Sequence, residues 1–211
     1  MIGGVKMATM PKTIGVFAGL LTREGKLRLQ RRIEKDSLIP GKTYEGDWEL
    51  SGGRVEEKDI KKALTLEVLQ AELIREVKEE LGILIKFRPR PSIYRTIYED
   101  PEKGICDWAL MIPIPGPYWD ETQDMKRTTI DVDPSGLREL ANQPKGNQLV
   151  SGWGKRMCRM GEGAFLLSYV ERFVRQAKDA LTEMRPNWRK TEFIENAEEA
   201  LSQFRRELGL E

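Results

Sequence analysis

At 211 residues the chain is long enough to bury a sizeable core and slightly long for one compact α/β unit. Its 35 Lys and Arg against 34 Asp and Glu leave a formal net charge of +1, which gives no electrostatic reason to expect nucleic acid or an anionic membrane as the main partner. The absence of histidine rules out a histidine base and argues against a zinc site, and the two distant cysteines, Cys106 and Cys158, are expected as small buried hydrophobes in a reducing compartment.

Residues 1–10 carry Lys6 as their one charge, and the apolar run 14–21 is too short to span a bilayer and lacks a small-residue cleavage pattern after it. The expectation is a loose N-terminus on a cytoplasmic protein with no membrane partner. Residues 13–21 are apolar and β-rich, and 26–32 alternate Leu27 and Leu29 with Arg28 and Gln30 around a turn at Glu24-Gly25, which predicts a hairpin. Arg31 and Arg32 at its end either face a substrate phosphate or are solvated strand-end charges.

A polar connection over 34–46 leads to a short strand at 47–50, with Trp48 expected to pack beneath the loop Ser51-Gly52-Gly53-Arg54-Val55-Glu56. A Gly pair there lets the backbone come close to an ion or phosphate. From 59 to 81 neither Gly nor Pro interrupts the chain, and Leu66, Leu69, Leu73 and Val77 recur at helical spacing, which predicts one helix lengthened at its N-terminal end, with a separate short helix and a loop as the alternative. On that helix Glu76, Glu79 and Glu80 stand at i, i+3 and i+4. Three carboxylates within about one turn repel one another; taken alone they read more often as a solvated helix face, and beside the Gly pair as ligands of a divalent cation that relieves the repulsion. Gly82 offers a left-handed C-cap.

Strands follow at 93–98 and 105–114, then a proline-bounded loop over 113–124 that holds Tyr118, Trp119, Asp120 and Glu121. Aromatics beside acids on such a loop either stack a base and supply a general base or simply pack. Residues 134–141 read as a helix with Asp133 as N-cap, 143–163 as a Gly-rich basic loop suited to a lid, 164–184 as an amphipathic helix and 189–208 as a final charged helix.

Arg75-Glu76-Val77-Lys78-Glu79-Glu80-Leu81-Gly82-Ile83 resembles the signature of the Nudix hydrolases, in which a Gly, five residues, a Glu and seven residues precede Arg-Glu-apolar-any-Glu-Glu-any-Gly-apolar. Glu67 lies the required seven residues before Arg75, but thirteen residues rather than five separate it from Gly53. Counted from Gly53, the Glu position falls on Asp59, so an eight-residue insertion divides that role between Glu67 and Asp59, with Glu67 favoured.

The resemblance implies one Nudix domain over 1–211, with the box at about 52–83 and a C-terminal helical extension at about 161–211. Its fold would be an α/β/α sandwich with a mixed, curled sheet, the box helix on one side and later helices on the other. It implies a Mg²⁺- or Mn²⁺-dependent pyrophosphohydrolase acting on a nucleoside diphosphate linked to another moiety, a small-molecule substrate. Capped or 5′-triphosphate RNA is the one nucleic-acid class left open, and a homodimer is compatible. Glu76, Glu79, Glu80 and the Gly52 carbonyl would hold the metal, Arg75 would orient a box carboxylate, and Arg32, Arg54 and Trp119 are candidates for substrate contact. For the general base Glu76 ranks first, then Glu121, then Glu162. The Tyr or Pro that marks substrate class after the box is ambiguous here, since Tyr98 and Pro101 both qualify by position. An isoprenyl-diphosphate isomerase is excluded because its metal site uses histidine. A non-catalytic nucleotide-binding or regulatory module is the alternative.

Overall fold

The computed structural model describes residues 11, 13–24, 26–33, 45–56, 64–87, 91–100, 105–122, 127–141, 143–144, 146–147, 188–194 and 196–211. Ten strands and three α-helices appear among them: β1 (Thr13–Leu20), β2 (Leu27–Arg31), β3 (Trp48–Glu49), β4 (Gly52–Glu56), α1 (Leu66–Leu81), β5 (Ile83–Ile85), β6 (Ile93–Asp100), β7 (Ile105–Ile114), β8 (Trp119–Glu121), β9 (Thr129–Val132), α2 (Pro134–Ala141), β10 (Trp188–Ile194) and α3 (Ala197–Glu207). The largest sheet has the order β10-β6-β7-β1-β4, and smaller sheets have the orders β3-β2-β9 and β5-β8. Because β1 runs parallel to β7 and antiparallel to β4, the main sheet is mixed, as expected.

Both edges of β1 are thus taken, and this is why the predicted hairpin does not form. The turn is present, with the Thr22 N–H donating to the Lys26 carbonyl at 2.8 Å, but a single bridge, Leu21 to Leu27, joins its arms. Past that bridge β2 leaves to pair with β3 and β9 in a separate sheet. The antiparallel β6–β7 ladder matches its prediction, running from Tyr94 opposite Met111 to Asp100 opposite Ile105.

α1 begins later than its uninterrupted sequence predicts. Thr65 is extended (φ −123°), and its Oγ1 accepts the Val68 N–H at 3.4 Å, so it caps the helix and prevents continuation toward Asp59. Glu67 falls in the first turn, where a carboxylate favours the helix dipole; Asp59 lies outside the described residues. Leu69, Leu73, Val77 and Leu81 form the buried stripe, each contributing about 1.5–3 kcal/mol by burial. Gly82 ends the helix at φ 68°, a left-handed conformation costly for any residue with a Cβ, and its N–H closes on the Lys78 carbonyl at 3.0 Å.

Ile14, Val16, Ala18 and Leu20 alternate along β1 and share one face with Trp108, Leu110, Ile112 and Ile114 of β7, all buried in one core cluster. α1 lies on that face, because Val16 pairs with Gly53, whose missing side chain points at Glu72 and Glu76. α3 lies there too: Phe204 meets Trp108 edge-on at 5.6 Å, and the Arg95 guanidinium stacks over both rings while its Nη1 reaches Glu207 at 2.8 Å. The later helices are expected on the opposite face; α3 packs on this one instead, because Phe204 and Leu201 join the same core cluster, while 164–184 lies outside the described residues, as do Cys158 and Glu162. Cys106 is buried in the core.

Two further expectations are corrected. Residues 189–194 are not helical: they belong to β10, which pairs with β6 and extends the sheet, and only Ala197–Glu207 forms the final helix. Nor is 113–124 simply a loop. Its first residues complete β7, a 3-10 turn spans Gly116–Tyr118, and Trp119–Glu121 forms β8 against β5. The helix Pro134–Ala141 matches its prediction, with Asp133 Oδ1 accepting the Gly136 N–H at 2.8 Å.

Candidate functional site

α1 carries four carboxylates toward β4 and its surroundings: Glu72, Glu76, Glu79 and Glu80. Glu72 was missed in the sequence because it lies outside the box pattern, although its four-residue spacing from Glu76 was visible. Arg75 gathers the outer members. Its Nη2 lies 2.7 Å from Glu72 Oε1 and also contacts Glu76 Oε1, and its Nη1 lies 2.8 Å from Glu79 Oε2. Glu72 first and then Glu76 push the guanidinium's already high pKa further up. Burial holds the Glu76 carboxyl above its ordinary value; Arg75 opposes this, while Glu80 and Glu72 reinforce it as like charges. Glu79, 58% exposed, is the outermost.

The Gly pair brings the β4 backbone against this face. A Cβ on Gly53 would lie 2.5 Å from Glu72 Oε1 and 3.0 Å from Glu76 Oε1, so the glycine leaves the space that the two carboxylates fill. A Cβ on Gly52 would lie 2.2 Å from the Val16 carbonyl oxygen, so this position admits only glycine if β1 and β4 are to pair.

Glu80, one turn on from Glu76, reaches into a half-buried polar network. Its Oε2 accepts from Ser51 Oγ at 2.7 Å and Gln30 Nε2 at 2.8 Å, and its Oε1 pairs with Arg127 Nη1 at 2.9 Å. Glu49 completes the network: Arg32 Nη1 lies 2.9 Å from its Oε2, and Arg127 Nη1 3.8 Å from its Oε1. Burial raises the Glu49 carboxyl, Arg32 lowers it and Glu80 raises it again. Gln30, Glu49, Ser51 and Arg127 were not singled out in the sequence as site residues. Glu49 and Ser51 carried a signal, polar groups beside a Gly pair, whereas Gln30 and Arg127 reach Glu80 only through tertiary folding.

The remaining candidates separate. Arg32 belongs to the network through Glu49, whereas Arg54 is exposed on β4. Trp119 is 8% exposed, its Nε1 donates to the Leu21 carbonyl at 2.8 Å and Arg28 lies 4.9 Å over its ring, so it packs in the core instead of offering a surface for a base. Glu121 is 46% exposed and ion-paired with Arg28, which Asp131 holds on its other side at 2.7 Å. Arg31 binds the Gly46 carbonyl at 3.2 Å, outside the network. Trp48 is buried, as expected, with its Nε1 donating to Asn147 Oδ1 at 3.2 Å.

The box helix, stopped by Gly82 and laid against the Gly52-Gly53 strand of a mixed sheet, is the arrangement its signature implies. In this arrangement the chain is similar to the Nudix type of fold. Solved structures similar to it include the MutT Nudix hydrolase of Burkholderia pseudomallei, 21% identical with TM-score 0.37, the match covering 62% of this chain and 85% of that one. The MutT protein of Methanosarcina mazei Go1 is 23% identical with TM-score 0.40 over 81% and 99% of the two chains. A Nudix hydrolase of Nitrosomonas europaea is 16% identical with TM-score 0.45 over 73% and 89%. At these values the likeness concerns the Nudix-type fold and carries no argument about activity or substrate. No protein-family model and no curated protein matches the chain. Among the described residues no helix is long and apolar enough to cross a membrane.

The donor chemistry of this face suits a hard divalent cation, since all its side-chain ligands are carboxylate oxygens. Among the described residues no three acidic, His or Cys side chains converge as a ready ligand set. Arginines occupy these carboxylates: Arg75 spans Glu72, Glu76 and Glu79, and Arg127 holds Glu80.

Proposed function

We propose that this chain is a divalent-metal-dependent pyrophosphohydrolase that cleaves a nucleoside diphosphate linked to another moiety. The observation that carries the reading is the box carboxylate Glu76 laid against Gly53, with Glu80 one turn on held by Ser51 and Gln30. Glu76, Glu79, Glu80 and the Gly52 carbonyl would hold Mg²⁺ or Mn²⁺. When bound, the ion would neutralise diphosphate oxygens and help activate the attacking water.

The chain's own groups supply the rest. Glu76, which faces Gly53 and whose carboxyl burial holds above its ordinary value, is the first candidate to accept a proton from water. Arg75 sets the directions of Glu76 and Glu79, a positioning role. Ser51 and Gln30 hold one oxygen of Glu80 and leave the other to meet a cation. Substrate identity would come from groups beyond the box, Arg32 and Arg54 among them.

A non-catalytic nucleotide-binding module is the second reading, favoured by the way Arg75 already neutralises Glu72 and two box carboxylates, Glu76 and Glu79. The test is product release from nucleoside triphosphates, sugar nucleotides, dinucleotides and capped RNA with Mg²⁺ and with EDTA, using the native chain and Glu80→Gln. Cleavage of one class that needs Mg²⁺ and is lost in Glu80→Gln supports the enzyme. Nucleotide binding without turnover of any class supports the module.

A further inference from the structure

Glu80 divides its two oxygens between different kinds of partner. Oε2 takes neutral donors, Ser51 Oγ and Gln30 Nε2, while Oε1 takes the Arg127 guanidinium at 2.9 Å. Arg127 leans toward Glu49 as well, at 3.8 Å, but Glu49 has its own closer cation in Arg32 at 2.9 Å. Withdrawing Arg127 would therefore leave Glu49 neutralised and Glu80 still oriented. A second observation points to a missing group: Gln30 is 1% exposed and its Oε1 has no hydrogen-bond partner among the described residues. A buried acceptor beside two carboxylates is normally met by a donor, and a hydrated cation brings one.

We propose that Arg127 is an exchangeable counter-ion: it holds Glu80 Oε1 while no divalent cation is present, yields that oxygen when one binds, and then engages the diphosphate of the substrate. The inference rests on the metal-dependent reading above. A guanidinium and a divalent cation repel when they share one carboxylate oxygen, so metal binding expels the arginine. The expelled fork of N–H donors matches phosphate oxygens geometrically, so an incoming diphosphate offers it a bidentate partner in place of Glu80. Arg127 thereby opposes metal binding in the absence of substrate and favours substrate once the metal is in place.

The test uses the full chain and two probes, Mn²⁺ alone, followed by electron paramagnetic resonance, and methylene diphosphonate at saturating Mn²⁺, followed by calorimetry. Arg127→Met should bind Mn²⁺ ~10-fold tighter and methylene diphosphonate ~10-fold more weakly, a coupling of ordinary size for linked sites. Arg127→Lys, which keeps the charge and loses the fork, should bind Mn²⁺ near the native value and the diphosphonate more weakly. Circular dichroism establishes that each variant is folded, and if the Met variant is not, the Lys variant decides. Unchanged or weaker Mn²⁺ binding in folded Arg127→Met, or native diphosphonate affinity in Arg127→Lys, overturns the proposal. Glu80→Gln separates the two levels: if it leaves Mn²⁺ affinity unchanged, the metal reading itself fails; if it abolishes Mn²⁺ binding while Arg127→Met changes nothing, only the counter-ion role fails.

Discussion

Ser51 Oγ donates to Glu80 Oε2 at 2.7 Å, tying the residue before the Gly pair to the last acid of the box helix. This bond aims Glu80, so Ser51→Ala should lower activity by ~10-fold through loss of a ligand-orienting partner. The fold should lose only about 1 kcal/mol, the ordinary net worth of one hydrogen bond. A Mg²⁺ titration of turnover checks it: the half-saturating concentration should rise, and an unchanged curve would deny Ser51 any orienting role.

The two glycines should respond differently to the same methyl group. In Gly53→Ala the new Cβ meets the ends of Glu72 and Glu76, which swing aside, so stability changes little but the carboxylates lose their places. Misplacement by about 1 Å can cost ~10²-fold in rate. In Gly52→Ala the Cβ meets the Val16 carbonyl, which cannot move without parting β1 from β4. Overpacking there should cost about 1–3 kcal/mol. Urea denaturation of both variants beside their turnover numbers tests the contrast, and equal stabilities would refute it.

Glu49 gives a pH dependence of stability with a definite sign. Burial holds its carboxyl above the ordinary 4.5, against the pull of Arg32 and with the push of Glu80. A native state that keeps its proton after the unfolded chain has lost it becomes less stable as pH climbs from 4.5 through the folded-state value. In EDTA, Glu49→Gln should therefore gain on the native chain across that window and run parallel to it below. Thermal midpoints recorded against pH decide, and a gap that stays constant throughout would show that Glu49 does not titrate differently on folding.

What the sequence reveals about this protein divides by range. The box helix is legible because its information is local: a stripe at four-residue spacing, carboxylates within one turn and a glycine where the helix must stop at φ 68°. Glu80's partners are not legible in the same way, since Gln30, Ser51 and Arg127 come from three separate segments that only the fold brings together. Trp119 reads as a loop aromatic because prolines precede it, yet pairing of β8 with β5 carries it inward. Residues 189–194 read as helix because charged residues suit either state, and pairing with β6 selects the strand.

Glu79→Gln and Glu80→Gln should each reduce turnover by at least ~10²-fold with little loss of folding, because a lost anionic ligand removes transition-state charge stabilisation. Their environments predict a difference in Mg²⁺ response. Glu79 is an exposed partner of Arg75, so excess Mg²⁺ should recover part of its activity, whereas the oriented Glu80 should not be rescued. Near-native rates in both variants would return the helix face to a solvated surface.

The group that takes the proton from water can be identified by pH–rate profiles of Glu76→Gln, Glu121→Gln and Glu162→Gln. Glu76 should carry the acidic limb. It shares the Gly53-facing side of α1 with Glu72, and burial holds its carboxyl above its ordinary value. Glu121 is committed to Arg28, an arginine that Asp131 also holds, so its carboxylate is neutralised at the junction of β2 and β8. Replacing it should change stability more than the shape of the profile. Glu162 lies outside the described residues and enters the test on its sequence alone. Loss of the acidic limb in Glu76→Gln, with the limb intact in the other two, assigns the base. If the limb disappears only with Glu121 or Glu162, Glu76 is a ligand and nothing more; if all three variants keep it, water loses its proton without any of these side chains.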